Sequence, residues 1–303
     1  KIRLDSNAQI PAMVIYSAVD ILLSQDKIKL AMNYIKALME NQPYQKGFIL
    51  CNFAGMLGNG GYLTDAAKFY EEALKFDYPF IYGEFAMILV KMKKFKEAEN
   101  LLQKALNKYP VEPVVLNDAG VVYHRMSNST RAEILWSRLF NMQKKYPFTA
   151  SKAALNLALI YYEKKDFIKV KEYLRACLHL EPKMTKACIN MGYIYQLEGK
   201  LKKAEIFYKR ALQNYGGSVS ALNNLAALYF ETKRVDEAIK LLQKAYALDN
   251  DCVETLINLA VYYFKCGQNL KAAGYLMRIS LDKAEINEKI VAAAILLEKL
   301  GKK

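Results

Sequence analysis

Asn156, Asn190, Asn224 and Asn258 recur at a constant interval of 34 residues. A primary amide offers two donor hydrogens and an acceptor oxygen, and carries neither charge nor a nucleophile. A column of such groups can donate to and accept from the backbone of an extended peptide, which is the chemistry of recognition rather than of bond making. Asn52 precedes the column, and Glu84 and Asp118 stand between at related positions.

Groups suited to catalysis are sparse. His124 and His179 are the only histidines. Neither lies in an H-E-x-x-H segment, and no Cys/His spacing suits zinc. The run GMLGNGG, residues 55–61, lacks the Gly-Lys-Ser/Thr of a phosphate loop and follows no strand, so it reads as a loose helix end and turn. A single Asn128-Ser-Thr sequon falls in a turn and carries little weight. The sequence therefore predicts a protein that is not an enzyme, with no catalytic residue, no metal and no cofactor. Its 44 Lys and Arg against 30 Asp and Glu leave a formal charge of +14, which suits an acidic partner: nucleic acid, anionic membrane or an acidic protein surface.

The elements that must carry the asparagines follow from periodicity. Each asparagine stands two residues before a small one, Ala158, Gly192, Ala226 or Ala260, and the intervening position is Leu157, Met191, Leu225 or Leu259. Three residues beyond each small residue comes Tyr161, Tyr195, Tyr229 or Tyr263, so apolar, small and aromatic positions share one stripe of a helix A. After a turn, Ala204, Tyr208 and Ala211, then Ala238, Leu242 and Ala245, repeat the helical spacing in a helix B. Weaker copies reach back to Val19. The copy with Gly120, Tyr123, Ala132, Trp136 and Leu139 runs four residues long before the register resumes at Ser151. Pro110 and Pro182 close their copies. After a lead-in over 1–11, the boundaries are 12–46, 47–78, 79–112, 113–150, 151–184, 185–218, 219–252 and 253–286, with a lone helix over 287–303.

This pattern resembles the tetratricopeptide repeat (TPR) family, which shares the 34-residue period and the small, aromatic and alanine columns. The tryptophan usual early in helix A is absent. The resemblance implies an all-α fold, a right-handed superhelical solenoid of about eight helix pairs and a final lone helix, with a concave groove that holds a protein segment. The asparagine column would face that groove, as a similar ladder does in the repeat arm of the O-GlcNAc transferase family. Asparagine ordering neighbouring helices is the alternative. Lys152, Leu155, Leu159, Tyr162, Lys186, Ile189, Tyr193, Gln196, Asn223, Ala227, Phe230, Ile257, Val261 and Phe264 would line the groove beside them, suiting an amphipathic helix or an extended apolar segment. Lys186 and Asn190 supply only pieces of the family's two-carboxylate clamp, and its arginine column is missing.

The expected role is a non-catalytic adaptor or scaffold for protein partners within a larger assembly. Its rivals are the recognition arm of a longer enzyme, on the O-GlcNAc transferase pattern, and a scaffold drawn to nucleic acid or an anionic membrane. The last would use a basic edge along the A–B turns: Lys91, Lys93, Lys94, Lys164, Lys165, Lys200, Lys202, Lys203, Lys233 and Arg234. Five cysteines without a C-x-x-C pair read as reduced, mostly core thiols, which favours the cytoplasm. The chain opens at a lysine without a signal-like start, so any targeting segment is expected to lie outside it. Apolar runs at both ends, including Ile290–Leu297, lead to the expectation that the repeats continue or that subunits meet end to end.

Overall fold

The computed structural model describes residues 11–279. Among them are sixteen α-helices and no strand: α1 (Ala12–Ser24), α2 (Ile28–Asn41), α3 (Lys46–Asn59), α4 (Leu63–Ala73), α5 (Pro79–Lys91), α6 (Phe95–Lys108), α7 (Pro113–Arg125), α8 (Ser129–Asn141), α9 (Pro147–Glu163), α10 (Phe167–Leu180), α11 (Thr185–Leu197), α12 (Leu201–Asn214), α13 (Val219–Glu231), α14 (Val235–Leu248), α15 (Val253–Lys265) and α16 (Asn269–Leu276). Two compact units divide between Ala153 and Ala154. In the first, α1 packs on α2, α3 on α4, α5 on α6 and α7 on α8, while α1, α3, α5 and α7 contact one another in succession. In the second, α11 with α12, α13 with α14 and α15 with α16 stack the same way. Each unit is a helical solenoid of paired helices. No described helix is long and apolar enough to cross a membrane. The lone helix expected over 287–303 and the apolar run Ile290–Leu297 lie outside the described residues.

Helix starts follow local chemistry. Pro79, Pro113 and Pro147 open α5, α7 and α9, where a missing N–H costs nothing. Asn128, Asp166 and Ser218 cap α8, α10 and α13 by accepting from the backbone N–H of Arg131, Lys169 and Ala221. The four extra residues of the fourth copy are not a loop. They form one more turn at the start of α9, which has 17 residues where α7 and α11 have 13. Helix α9 therefore begins at Pro147, four residues before the point at which the repeat register resumes, Ser151.

The core is set by how closely helix A crosses helix B. Gly120 leaves no room for a methyl group, since a Cβ there would lie 2.4 Å from the Trp136 ring. One at Gly192 would lie 2.7 Å from the Tyr208 ring. At the equivalent positions Ala86, Ala158, Ala226 and Ala260 are followed sixteen residues later by Leu102, Leu174, Leu242 and Leu276, all buried. At these six positions glycine goes with a large aromatic and alanine with leucine, so that small and large side chains trade volume across the crossing, while Ala54 stands sixteen residues before the buried Tyr70. The run GMLGNGG departs from its reading as a loose end. Residues 55–59 are helical, and Gly58 is buried so close to α5 that a Cβ would meet Ile88 at 2.4 Å. Only Gly60 and Gly61 belong to the turn.

Every A–B turn is built alike. One residue adopts the left-handed region: Asp26, Gly61, Lys93, Ser127, Lys165, Gly199, Lys233 or Gly267. The next N–H then reaches back five residues to a helix A carbonyl, as Asn128 does to Tyr123 (2.8 Å), Lys200 to Tyr195 (2.8 Å) and Arg234 to Tyr229 (2.7 Å). The tyrosine that supplies this carbonyl also carries a cation on its ring: Arg131 over Tyr123 (5.2 Å), Lys169 over Tyr161 (4.6 Å), Lys203 over Tyr195 (5.6 Å) and Lys271 over Tyr263 (5.3 Å). Between successive copies, Arg138 donates to the Pro110 carbonyl and Arg210 to that of Pro182, both at 2.9 Å.

The first unit also holds polar groups against its core. Glu84 accepts from the Cys51 thiol (3.0 Å) and the Tyr70 hydroxyl (3.1 Å). Asp118 accepts from the Asn117 amide (2.9 Å). Burial, reinforced by the charge of Glu84, pushes the Asp118 carboxyl from 3.8 up to about 6, against the opposing pull of Asn117 and Lys152.

Two outcomes are expected. Gly192→Ala and Tyr208→Leu should each lower the melting temperature, the first by overpacking worth about 1–3 kcal/mol and the second by leaving a void. Together they recreate the alanine–leucine pairing, so a double-mutant cycle should show favourable coupling of about 1 kcal/mol or more. Coupling near zero would mean that the two sites do not share a volume. For Asp118, the folded state keeps its proton to higher pH than the unfolded chain does. Its cost to stability therefore grows between about pH 4 and 6 and is fully present above pH 6. Asp118→Asn should raise stability at pH 7.5 by about 1–2 kcal/mol and flatten the pH profile in that window. Denaturant titration across the pH series checks both, and a destabilised variant at pH 7.5 would show that Lys152 compensates the charge.

Candidate functional site

In the second unit the asparagine column occupies α9, α11, α13 and α15. Asn190 is exposed, and Asn156, Asn224 and Asn258 are half-buried. Among the described residues none of the four makes a side-chain hydrogen bond, so their donors and acceptors are free for a ligand. The same column in the first unit is used internally. Asn52 donates to the Tyr16 hydroxyl (3.3 Å), while Glu84 and Asp118 have the partners given above.

The aromatic residues expected near the asparagines are present but unequal. Tyr162 donates its hydroxyl to that of Tyr193 at 3.4 Å, with the rings 6.1 Å apart. That bond and partial burial raise the Tyr162 phenol above its ordinary range. Phe230 stacks flat on Tyr262, centroids 4.0 Å apart, with the Lys265 ammonium over its other neighbourhood at 5.1 Å. Phe264 is half-buried and Lys186 exposed. Lys152 lies over the Phe148 ring at 4.5 Å.

Two expected lining residues are not accessible. Asn223 and Ile257 are buried, one position before the asparagine column, where the helix has turned toward its neighbour. Asn223 instead exchanges two hydrogen bonds with Thr255, at 3.0 and 3.2 Å, and so ties α13 to α15. Gln196 is engaged as well, accepting from Tyr208 (3.0 Å) and donating to Glu231 (2.8 Å).

Tyr162, Asn190 and Tyr193 come together around a cavity of about 230 Å³, with Ala158, Leu159, Val170, Leu174 and Ile194 as the rest of its lining. Val170 and Leu174 belong to α10. Sequence reasoning confined the lining to helix A and missed them, because a buried leucine at core spacing gives no sign that one of its sides is open.

Six of the ten basic-edge residues are occupied. Lys91 donates to the Gly58 carbonyl (3.2 Å), Lys94 pairs with Glu97 (3.1 Å) and Lys200 with Glu198 (2.7 Å). Lys164 and Lys203 lie over Tyr161 and Tyr195. Arg234 is held by Glu205 (3.0 Å), Glu237 (2.6 Å) and the Tyr229 ring (3.6 Å). Lys93, Lys165, Lys202 and Lys233 are exposed without a partner among the described residues. A basic residue eight positions after Tyr123, Tyr161, Tyr195 and Tyr263 was the available signal for four of the ring contacts, while at Tyr229 the cation is Arg234, five positions on.

Three family models, each described as a tetratricopeptide repeat, match residues 151–184, 185–251 and 229–294. No curated protein matches the chain significantly in sequence. Among solved structures, yeast Tom70 aligns with all of the chain at a TM-score of 0.71 and 16% identity, the chain spanning 66% of it. The Cut9–Hcn1 hetero-tetramer of the APC/C matches 96% of the chain and 57% of its own, at 0.60 and 14%. Pseudomonas aeruginosa PilF matches 73% of the chain and 96% of its own, at 0.56 and 14%. At these identities the likeness concerns the fold. Repeat spacing, paired helices and family models agree that residues 151–294 are tetratricopeptide repeats.

Proposed function

We propose that this protein is a non-catalytic adaptor that binds an extended protein segment along α9, α11, α13 and α15. The observation that carries this reading is the column of four amides, evenly spaced and free of side-chain partners. Each amide can serve one backbone N–H and one C=O, and the repeat sets the amides at regular intervals. That Asn52, Glu84 and Asp118 lack the same freedom supports assigning recognition to the second unit. Recruitment by a basic edge is the weaker reading, since most of its cations are already spent on carboxylates, carbonyls and rings. The thiols of Cys51, Cys177 and Cys188 are buried and free and those of Cys252 and Cys266 more accessible, which supports a reducing, cytoplasmic compartment.

The test uses peptides selected on the intact chain from a displayed random library. Asn190→Ala with Asn224→Ala should weaken them tenfold or more, each amide contributing about 1 kcal/mol, while the melting temperature stays within a few degrees. Unchanged affinity, or a large fall in melting temperature, would make the ladder structural.

A further inference from the structure

We propose that the cavity between α9, α10 and α11 is a socket for one phenylalanine-sized side chain of the bound segment. Its floor is closed and apolar: Ala158, Val170, Leu174 and Ile194 are each no more than 2% exposed. Its mouth is open, with Leu159 44% and Tyr193 41% exposed and Asn190 exposed beside them. The volume of about 230 Å³ exceeds the roughly 150 Å³ at which an apolar protein cavity takes up benzene. An aromatic ring therefore fits with its linking methylene.

The polar groups sit where a ligand backbone would leave the socket. Tyr162 spends its proton on the Tyr193 oxygen, which leaves the Tyr193 O–H to donate elsewhere. Asn190 has both amide functions unspent. Together they can serve the carbonyl and N–H flanking the inserted side chain, while the floor offers nothing to a hydroxyl or an ammonium. Burying such a group there unpaired is unfavourable, so the floor selects phenylalanine over tyrosine and rejects lysine. The Tyr162 and Tyr193 rings, tilted at 51° to each other, give an entering ring an edge and a face.

This deepens the proposal above and rests on it for the ligand being a peptide, but its test reads the cavity alone. The probes are N-acetyl amino-acid N-methylamides of phenylalanine, leucine, tyrosine and lysine, titrated into the full chain with methyl-labelled Val, Leu and Ile followed by NMR. The phenylalanine probe should shift the methyls of Val170, Leu174 and Ile194 saturably, with a Kd on the order of 1 mM. Tyrosine should bind several-fold more weakly and lysine not measurably. Val170→Phe should fill the cavity and abolish the shifts without lowering the melting temperature. If that variant folds poorly, Leu159→Glu at the exposed mouth should weaken the phenylalanine probe at least tenfold. No saturable shift at these methyls, or equal response to lysine, overturns the socket. The Asn190 and Asn224 measurement stands or falls separately.

Discussion

The close crossing of helix A over helix B at one small residue is the constraint from which the rest of the architecture follows. Where Trp136 and Tyr208 fill helix B, a single methyl on Gly120 or Gly192 has no space. With leucine opposite, alanine completes the same volume. The residue two positions earlier on helix A, by contrast, is never fully buried: it is exposed at Glu84 and Asn190 and half-buried at Asn52, Asp118, Asn156, Asn224 and Asn258. The asparagines recur because each is tied in sequence to the small residue of the crossing, two positions on.

The two units put this shared position to different uses. In the first, it carries an asparagine tied to a phenol and two carboxylates restrained by a thiol, a phenol and an amide. Asp118 is costly there because its charge is poorly solvated, as its raised carboxyl shows. In the second, the position is neutral and unspent. A neutral amide loses less than a carboxylate when a ligand displaces water from it, so the second unit can be covered by a peptide with a smaller desolvation cost.

Much of this was legible in the residues. The 34-residue period fixed the helices, their pairing and the placing of Asn156, Asn190, Asn224 and Asn258, since each depends on local spacing. What escaped depended on the partner of a residue in space. Asn223 and Ile257 looked like groove residues because helical spacing cannot distinguish a face toward solvent from one toward the next helix A. Gly58 looked like part of a loose helix end because its reason, Ile88, is thirty residues away. The ring-bound cations read as solvated charges, because Lys164, Arg234 and Lys203 stand three, five and eight residues after their tyrosines and share no single spacing. The cavity was hidden for a further reason: a void is a mismatch of volumes among α9, α10 and α11, and no single column records it.

The extra turn of α9 bears on how such a chain can change over generations. A helix advances by about 100° per residue, so four added residues return the entry point to within about 40° of where it began. One would swing it by about a quarter turn and two to the far side, carrying the following asparagine away from its neighbours. Seven or eleven would return it more closely still. Heritable insertions at the head of a helix A are thus filtered by arithmetic before they are filtered by stability, and the lengths that survive are those that leave Asn156 and the register from Ser151 onward undisturbed.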